Sequence, residues 1–304
     1  MNSRGLESYP LLAAMRHAFK TEHRFSGDIV DRAYAAFGDR WATSFEEAMN
    51  RLFPLDDERA AAIKGYAAFA MTSLRLQGRF EISGQYKSKT YAEAAAEVYH
   101  NEAFMQMEYL PGLFISHYLW PHHYRQIEFF KTAFMASLDV SGVDHFIEVG
   151  VGTGLYSRIA LQRLPQATGL GIDISASSKQ FAERQMAAFG FSPRYTVKLE
   201  DATVDTPATS ASALICVEVL EHLEDPVAFL RALRGILKPG GKAFITAALN
   251  AAHTDHIYLY RSPGEVEEQL IEAGFVVEQY YVGQAYAPPK SGAPVPLAAA
   301  FVVY

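Results

Sequence analysis

Residues 145–154 read HFIEVGVGTG, and LYSRIALQRL follows at 155–164. A short apolar run, glycines at alternate positions and then a helical pattern spell strand, tight turn, helix. Glycine lets backbone approach a ligand closely and present free amides at a helix start. The same grammar repeats outward from this stretch. Strands are expected at HFIEVG (145–150), TGLGID (168–173), RYTVKL (194–199), ALICVE (213–218), KAFITAAL (242–249), FVVEQYYV (275–282) and LAAAFVVY (297–304). Helices are expected near 155–164, 177–190, 226–237 and 263–273. Such runs suit strands covered on both faces, as in a parallel sheet. Only the loop GQAYAPPKSGAPVP (283–296) joins the last two strands. Without a crossover helix, the final strand must run antiparallel to its neighbour.

Upstream the grammar is helical. Ser44-Phe-Glu-Glu47 and Thr90-Tyr-Ala-Glu93 both fit the capping box, and alanine-rich helices are expected near 57–77 and 91–107. Pro121 is placed to open a further helix. Ten aromatic residues fall between Tyr99 and Phe134, enough for a helical core, a seam with the sheet and part of an apolar substrate chamber. The expected organisation is a helical substrate or lid domain at 1–138 and an α/β domain at 139–304.

Composition narrows the function. The chain has 304 residues, 27 Lys and Arg against 34 Asp and Glu, and no basic run, so nucleic acid is not an expected partner. Cys216 is the only cysteine, which rules out an intrachain disulfide and is read as a small buried core residue. There is no signal-peptide pattern and no apolar stretch of about 18–20 residues, so the expectation is a cytoplasmic protein with no membrane partner. The helical half carries enough apolar residues for a homodimer interface.

The glycine turn by itself also fits dinucleotide binding, but the spacing differs. Glycine recurs at 150, 152 and 154, and Leu155 stands where G-x-G-x-x-G requires glycine. Asp173, ending the second strand, suits ribose hydroxyls in either case. Together, FIEVGVGTG, GIDIS with Asp173, LEDA with Asp201, CVEVLEHLEDP (216–226) and LKPGG (237–241) resemble the class I S-adenosylmethionine-dependent methyltransferases. Residues 213–241 are similar to the ubiquinone-pathway O-methyltransferases. The resemblance, which covers about 140–304, implies a Rossmann-like seven-stranded sheet with the last strand antiparallel, and the helical half, read from its own residues, would pack over it as an all-α N-terminal domain. It places Gly150, Gly152 and Gly154 near the methionine part of S-adenosyl-L-methionine, with Glu148 nearby. Asp173 would meet the ribose, and Asp201 with the amide of Ala202 the adenine. Arg125 would meet the cofactor carboxylate.

The same resemblance makes Glu218, Glu221 and His222 ligands of a divalent metal (Mg, Mn, Fe or Zn). His253 or His256, in NAAHTDHIY (250–258), would be a further ligand. Two carboxylates and an imidazole leave open positions for substrate oxygens, and a cation there would lower a hydroxyl's pKa. The expected reaction is O- or C-methylation of a small-molecule acceptor, with His222, His253 or His256 as general base. The alternatives are a metal-free O- or N-methyltransferase using His222 as base, and a methyltransferase-like binding protein without catalysis. Tyr86, Tyr91, Tyr124 and Tyr258 are candidate polar tips of the chamber. His117, His122 and His123, near the helix break, are read as core or surface residues rather than a zinc site.

Overall fold

The structure, a computed structural model, describes residues 5–138, 142–204, 210–288 and 294–304. After residue 144 the alternating pattern closes into one seven-stranded sheet. Its strands are β1 (His145–Val149), β2 (Thr168–Asp173), β3 (Tyr195–Leu199), β4 (Ala211–Cys216), β5 (Leu237–Leu249), β6 (Val277–Gln284) and β7 (Leu297–Val303). Their order is β3-β2-β1-β4-β5-β7-β6. β1 to β5 are parallel, and β7 runs antiparallel to both β5 and β6, as expected. The order reverses between β1 and β4, where the loops leaving the strand ends diverge and open a crevice for ligand.

Apolar side chains cover both faces. On one, Leu230 and Leu233 of the helix Pro226–Ile236 and Leu270 of Pro263–Glu272 pack on Ile147, Leu214 and Ile245. On the other, the helices Leu155–Arg163 and Ala176–Ala188 share a core with Phe130, Phe134, Phe146 and Phe244. Cys216 is fully buried in β4. A third core, built on Trp41, Phe45, Tyr66, Phe114 and Tyr118, holds the helices Pro10–Thr21, Ile29–Leu52, Asp56–Ser83 and Leu110–Leu119 together. The helical run continues to Ser137, and its last part lies on the sheet: the Phe130 and Phe134 rings stand 5.0 and 5.7 Å from that of Phe244. Residue 139, the expected boundary, lies outside the described residues, as do 289–293 of the final loop. No helix among the described residues is long and apolar enough to cross a membrane.

Three local expectations differ from the structure. Ser44 starts no helix but lies inside Ile29–Leu52, whose break falls at Gly38 (φ 68°). Glu46 caps a different helix, accepting the amides of Leu11 and Leu12 at 2.9 Å each at the start of Pro10–Thr21. The capping box at Thr90 does form, but its helix is short. Tyr91–Ala94 runs into a π turn at Ala95–Tyr99, and after Asn101 the chain restarts as Glu102–Phe104 and a second π turn, Met105–Tyr109. Pro121 opens its helix as expected. LKPGG begins β5 instead of preceding it, with Gly240 at φ 76°.

Candidate active site

One cavity of about 710 Å³ lies between the helical layer and the C-terminal ends of β1, β2, β4 and β5. Glu148, Gly150, Gly152, Asp173, Asp201 and Ala202 line one part of it. Two of the glycines are required for different reasons. A Cβ at Gly150 would stand 2.4 Å from Val219 Cγ2, whereas at Gly152 it would meet nothing closer than Leu113 Cδ2 at 3.8 Å and would project into open space. Gly154 is not on the cavity wall: with φ 72° it starts the helix Leu155–Arg163 against Ala182. Asp173 stiffens the turn, accepting the Gly152 amide at 2.9 Å and the Ser175 amide at 2.8 Å. Glu148 is buried, holds the Ser157 amide at 3.0 Å and also takes the Ser157 hydroxyl. Burial pushes its carboxyl up to about 8. Asp201 accepts the Thr203 amide at 2.9 Å and the Tyr91 hydroxyl at 3.3 Å.

Glu218, Glu221, His222, His253 and His256 line the part of the cavity at the ends of β4 and β5. Glu218 adopts φ 53°, a left-handed conformation that a non-glycine residue keeps only when its surroundings impose it. Thr246 does so: its hydroxyl accepts the Glu218 amide at 2.9 Å and donates to the carboxylate at 2.7 Å. Burial pushes Glu218 up to about 7 and Glu221 well above the usual carboxylate range, and the charge of Glu218 adds to the cost of ionising Glu221. Both Glu221 oxygens, and Nε2 of His253, are buried without a hydrogen-bond partner.

The three imidazoles are oriented in the same way. His222 Nδ1 donates to the Asp255 carbonyl at 3.1 Å and His256 Nδ1 to the Ala251 carbonyl at 2.6 Å. His253 Nδ1 meets the Asp255 carboxylate at 2.8 Å. A carbonyl only accepts, so in the neutral rings of His222 and His256 the free lone pair is on Nε2. Ligand atoms of Glu221, His222 and His256 lie within 4.8 Å of one another, as do those of His253, Asp255 and His256. Burial holds His256 near 3, with His222 adding to the effect. Asp255 is fully buried and also accepts the hydroxyls of Tyr99 at 3.0 Å and Tyr109 at 2.8 Å. Burial alone would raise it, but the surrounding imidazoles hold it well below the usual carboxylate range.

Most of the expected residues therefore meet in one cavity, and Arg125 is the main exception. It is exposed on the outer side of its helix, its guanidinium 5.8 Å above the Phe37 ring and absent from the cavity wall. Of the four tyrosines, Tyr91 lines the cavity. The Tyr86 ring lies 5.9 Å from that of His256. Tyr124 packs on Phe37 instead, and the Tyr258 hydroxyl takes Gln269 Nε2. Sequence reading missed Asp255, although it stands between two candidate histidines. It also missed Gln77 and Thr246, whose distant positions carry no local signal.

A family model described as a methyltransferase domain matches residues 147–243. The chain is 29% identical to the ubiquinone biosynthesis O-methyltransferase of Xanthomonas axonopodis pv. citri (strain 306) over 177 residues, 52% of this chain and 72% of that protein. Its fold is similar to the mitomycin 7-O-methyltransferase (TM-score 0.54, 16% identity, covering 83% of this chain and 74% of that one). It is also similar to an O-methyltransferase from neocarzinostatin biosynthesis, solved with S-adenosylmethionine and 2-hydroxy-5-methyl naphthoic acid (TM-score 0.52, 17% identity, covering 84% of this chain and 72% of that one).

Proposed function

We infer that this chain, an S-adenosylmethionine-dependent methyltransferase of the class I fold, methylates an oxygen of a small acceptor with an apolar, planar body. The observation that carries the reading is that one continuous cavity joins the open face at Gly152 to a cluster of carboxylates and imidazoles. Phe69, Tyr109, Trp120 and Leu297 line it too, walls suited to an apolar ring. The naphthoic acid held by the neocarzinostatin-pathway neighbour is a molecule of this kind.

When bound, S-adenosylmethionine supplies an electrophilic methyl group on its sulfonium. The Gly150–Gly152 turn, Asp173 and Asp201 would hold it, and the helical layer excludes water. Most of the acceleration comes from holding the acceptor oxygen in line with the methyl carbon. The acceptor O–H must lose its proton as the O–C bond forms and the C–S bond breaks. His253, held by the Asp255 carboxylate, is placed to take that proton at Nε2.

The donor set also fits a divalent cation. Glu221 has both oxygens unpartnered, and His222 and His256 have Nδ1 held by main-chain carbonyls, the outer-shell arrangement of metal-binding imidazoles. A side chain held near 3 stays neutral at physiological pH, which suits His256 to ligation better than to proton transfer. These three residues, with Glu218 adjacent, would be the ligands. When bound, the ion would lower the pKa of a coordinated hydroxyl. The His253–Asp255 pair favours a second reading, a metal-free O-methyltransferase with His253 as base.

Elemental analysis of wild type beside His256→Ala and His222→Ala separates the two, with S-adenosylmethionine binding as the folding control. Near-stoichiometric metal in the wild type, lost in both variants while cofactor still binds, is the expected result. Absence of metal after incubation with magnesium, manganese, iron and zinc would leave the metal-free reading.

A further inference from the structure

A second group of imidazoles lies beside the glycine turn and takes no part in the chemistry above. His117 sits one helical turn beyond Leu113, the residue nearest the open face of Gly152. His122 and His123 open the next helix, Pro121–Phe129, which also carries Gln126. All four line the cavity. His123 is 4.3 Å from His122 and 5.6 Å from His117, ring centre to ring centre. His117 stands edge-on to Tyr156, in the first turn after the glycines, and Gln126 Nε2 donates to the Tyr156 hydroxyl at 3.0 Å. The cluster is thus tied to the start of the helix that the glycine turn opens.

Three of its polar atoms are left unsatisfied, although His123 Nδ1 meets the Ser116 hydroxyl at 3.1 Å. His117 Nδ1, His122 Nδ1 and Gln126 Oε1 are all buried without a hydrogen-bond partner, at residues 6%, 7% and 2% exposed. A buried polar atom left unpaired is destabilising, so three together on one cavity wall point to a polar ligand. Arginine is missing from this place. Arg125 points outward, and among the described residues the one Arg or Lys on the cavity wall, Arg32, is exposed.

We propose that His117, His122 and Gln126, with His123 behind them, hold the α-amino-acid end of the cofactor by hydrogen bonds, in place of a guanidinium. The assignment rests on the reading that S-adenosylmethionine lies along the glycine turn. Imidazole N–H groups would donate to the carboxylate, and the Gln126 carbonyl would accept from the ammonium, so both ends of the zwitterion find partners. No aromatic acceptor is needed to satisfy the cluster.

The test compares binding of S-adenosylhomocysteine with 5′-methylthioadenosine, which keeps the nucleoside and sulfur but lacks the amino-acid end, by calorimetry. The wild type should prefer S-adenosylhomocysteine by 10-fold or more. His117→Phe and His122→Phe should each reduce that preference at least 3-fold while affinity for 5′-methylthioadenosine stays within 2-fold. His122→Gln, which keeps hydrogen-bonding capacity, should retain more of the preference than His122→Phe and guards against loss by misfolding. An undiminished preference in both phenylalanine variants would overturn the assignment. Failure of the wild type to bind either compound would instead overturn the cofactor reading beneath it.

Discussion

At the residue scale, Gly150 and Gly152 share a positive φ but differ in what a side chain would strike. A left-handed alanine costs roughly 1–2 kcal/mol at either position. Gly150→Ala adds a clash with Val219, and so should lower the melting temperature most. Gly152→Ala meets only open cavity. It should melt closer to the wild type yet bind S-adenosylmethionine at least 10-fold more weakly, as a titration would show. Unchanged binding would remove Gly152 from the cofactor cradle. Glu148 offers a pH signature. Its carboxyl sits near 8 when folded against an ordinary value near 4.5, so the folded state binds the proton more tightly. The stability it contributes is full below about 4.5 and is lost as pH rises through about 8. Glu148→Gln carries no such loss. In urea unfolding without added cofactor, its stability relative to wild type should rise between pH 5 and pH 9. The gain should be on the order of 4 kcal/mol, at about 1.4 kcal/mol per pKa unit. A pH-independent difference would mean that Glu148 ionises normally.

At the element scale, the loop carrying His253, Asp255 and His256 owes its position to the helix Asp56–Ser83. Gln77, buried on that helix, donates to the Asn250 carbonyl at 3.1 Å and accepts the Ala252 amide at 2.9 Å. Lys89 reaches the Thr254 carbonyl at 2.8 Å. Gln77→Leu leaves two main-chain groups of the loop unpaired, a destabilisation of about 1–3 kcal/mol. Hydrogen exchange should quicken at residues 250–258 and remain unchanged in β1 and β2. Protection left intact across the loop would show that Gln77 is dispensable to it. The Tyr99 and Tyr109 hydroxyls on Asp255 fix the two π turns over the same loop, which explains why the alanine-rich stretch breaks where periodicity alone would continue it.

At the scale of the whole molecule, the helical layer and the sheet are joined by shared cores and by the cavity between them. Phe181 and Phe189, around the helix Ala176–Ala188, pack into the same cluster as Trp41 and Tyr66. Arg184 donates to the Leu52 carbonyl and meets Glu58 at 3.0 Å. Far- and near-ultraviolet dichroism should therefore report one coincident thermal transition. S-adenosylmethionine at 100 times its Kd should stabilise the whole by about 2.7 kcal/mol and raise that single transition. Two separated transitions, only one of them moved by the cofactor, would show that the layers unfold independently.

The succession of strands and helices along the chain, the reversed last strand and the glycine turn were legible in the sequence because each depends on local chemistry: apolar period, turn residues and the length of the connections. Glu218, Glu221 and His222 were legible because they sit within one short segment at a strand end. Arg125 failed for the opposite reason. Its place in the chain is right for a cofactor ligand, but which way its side chain points depends on how its helix is rotated against the sheet. His117, His122 and Gln126 face the cavity through that same packing, and nothing in their neighbours announces it. Asp255, Gln77 and Thr246 acquire their roles from partners that are mostly far away in the chain. Local chemistry thus determined the succession of elements and the glycine turn, while only tertiary packing decided which imidazoles, carboxylates and amides share the cavity.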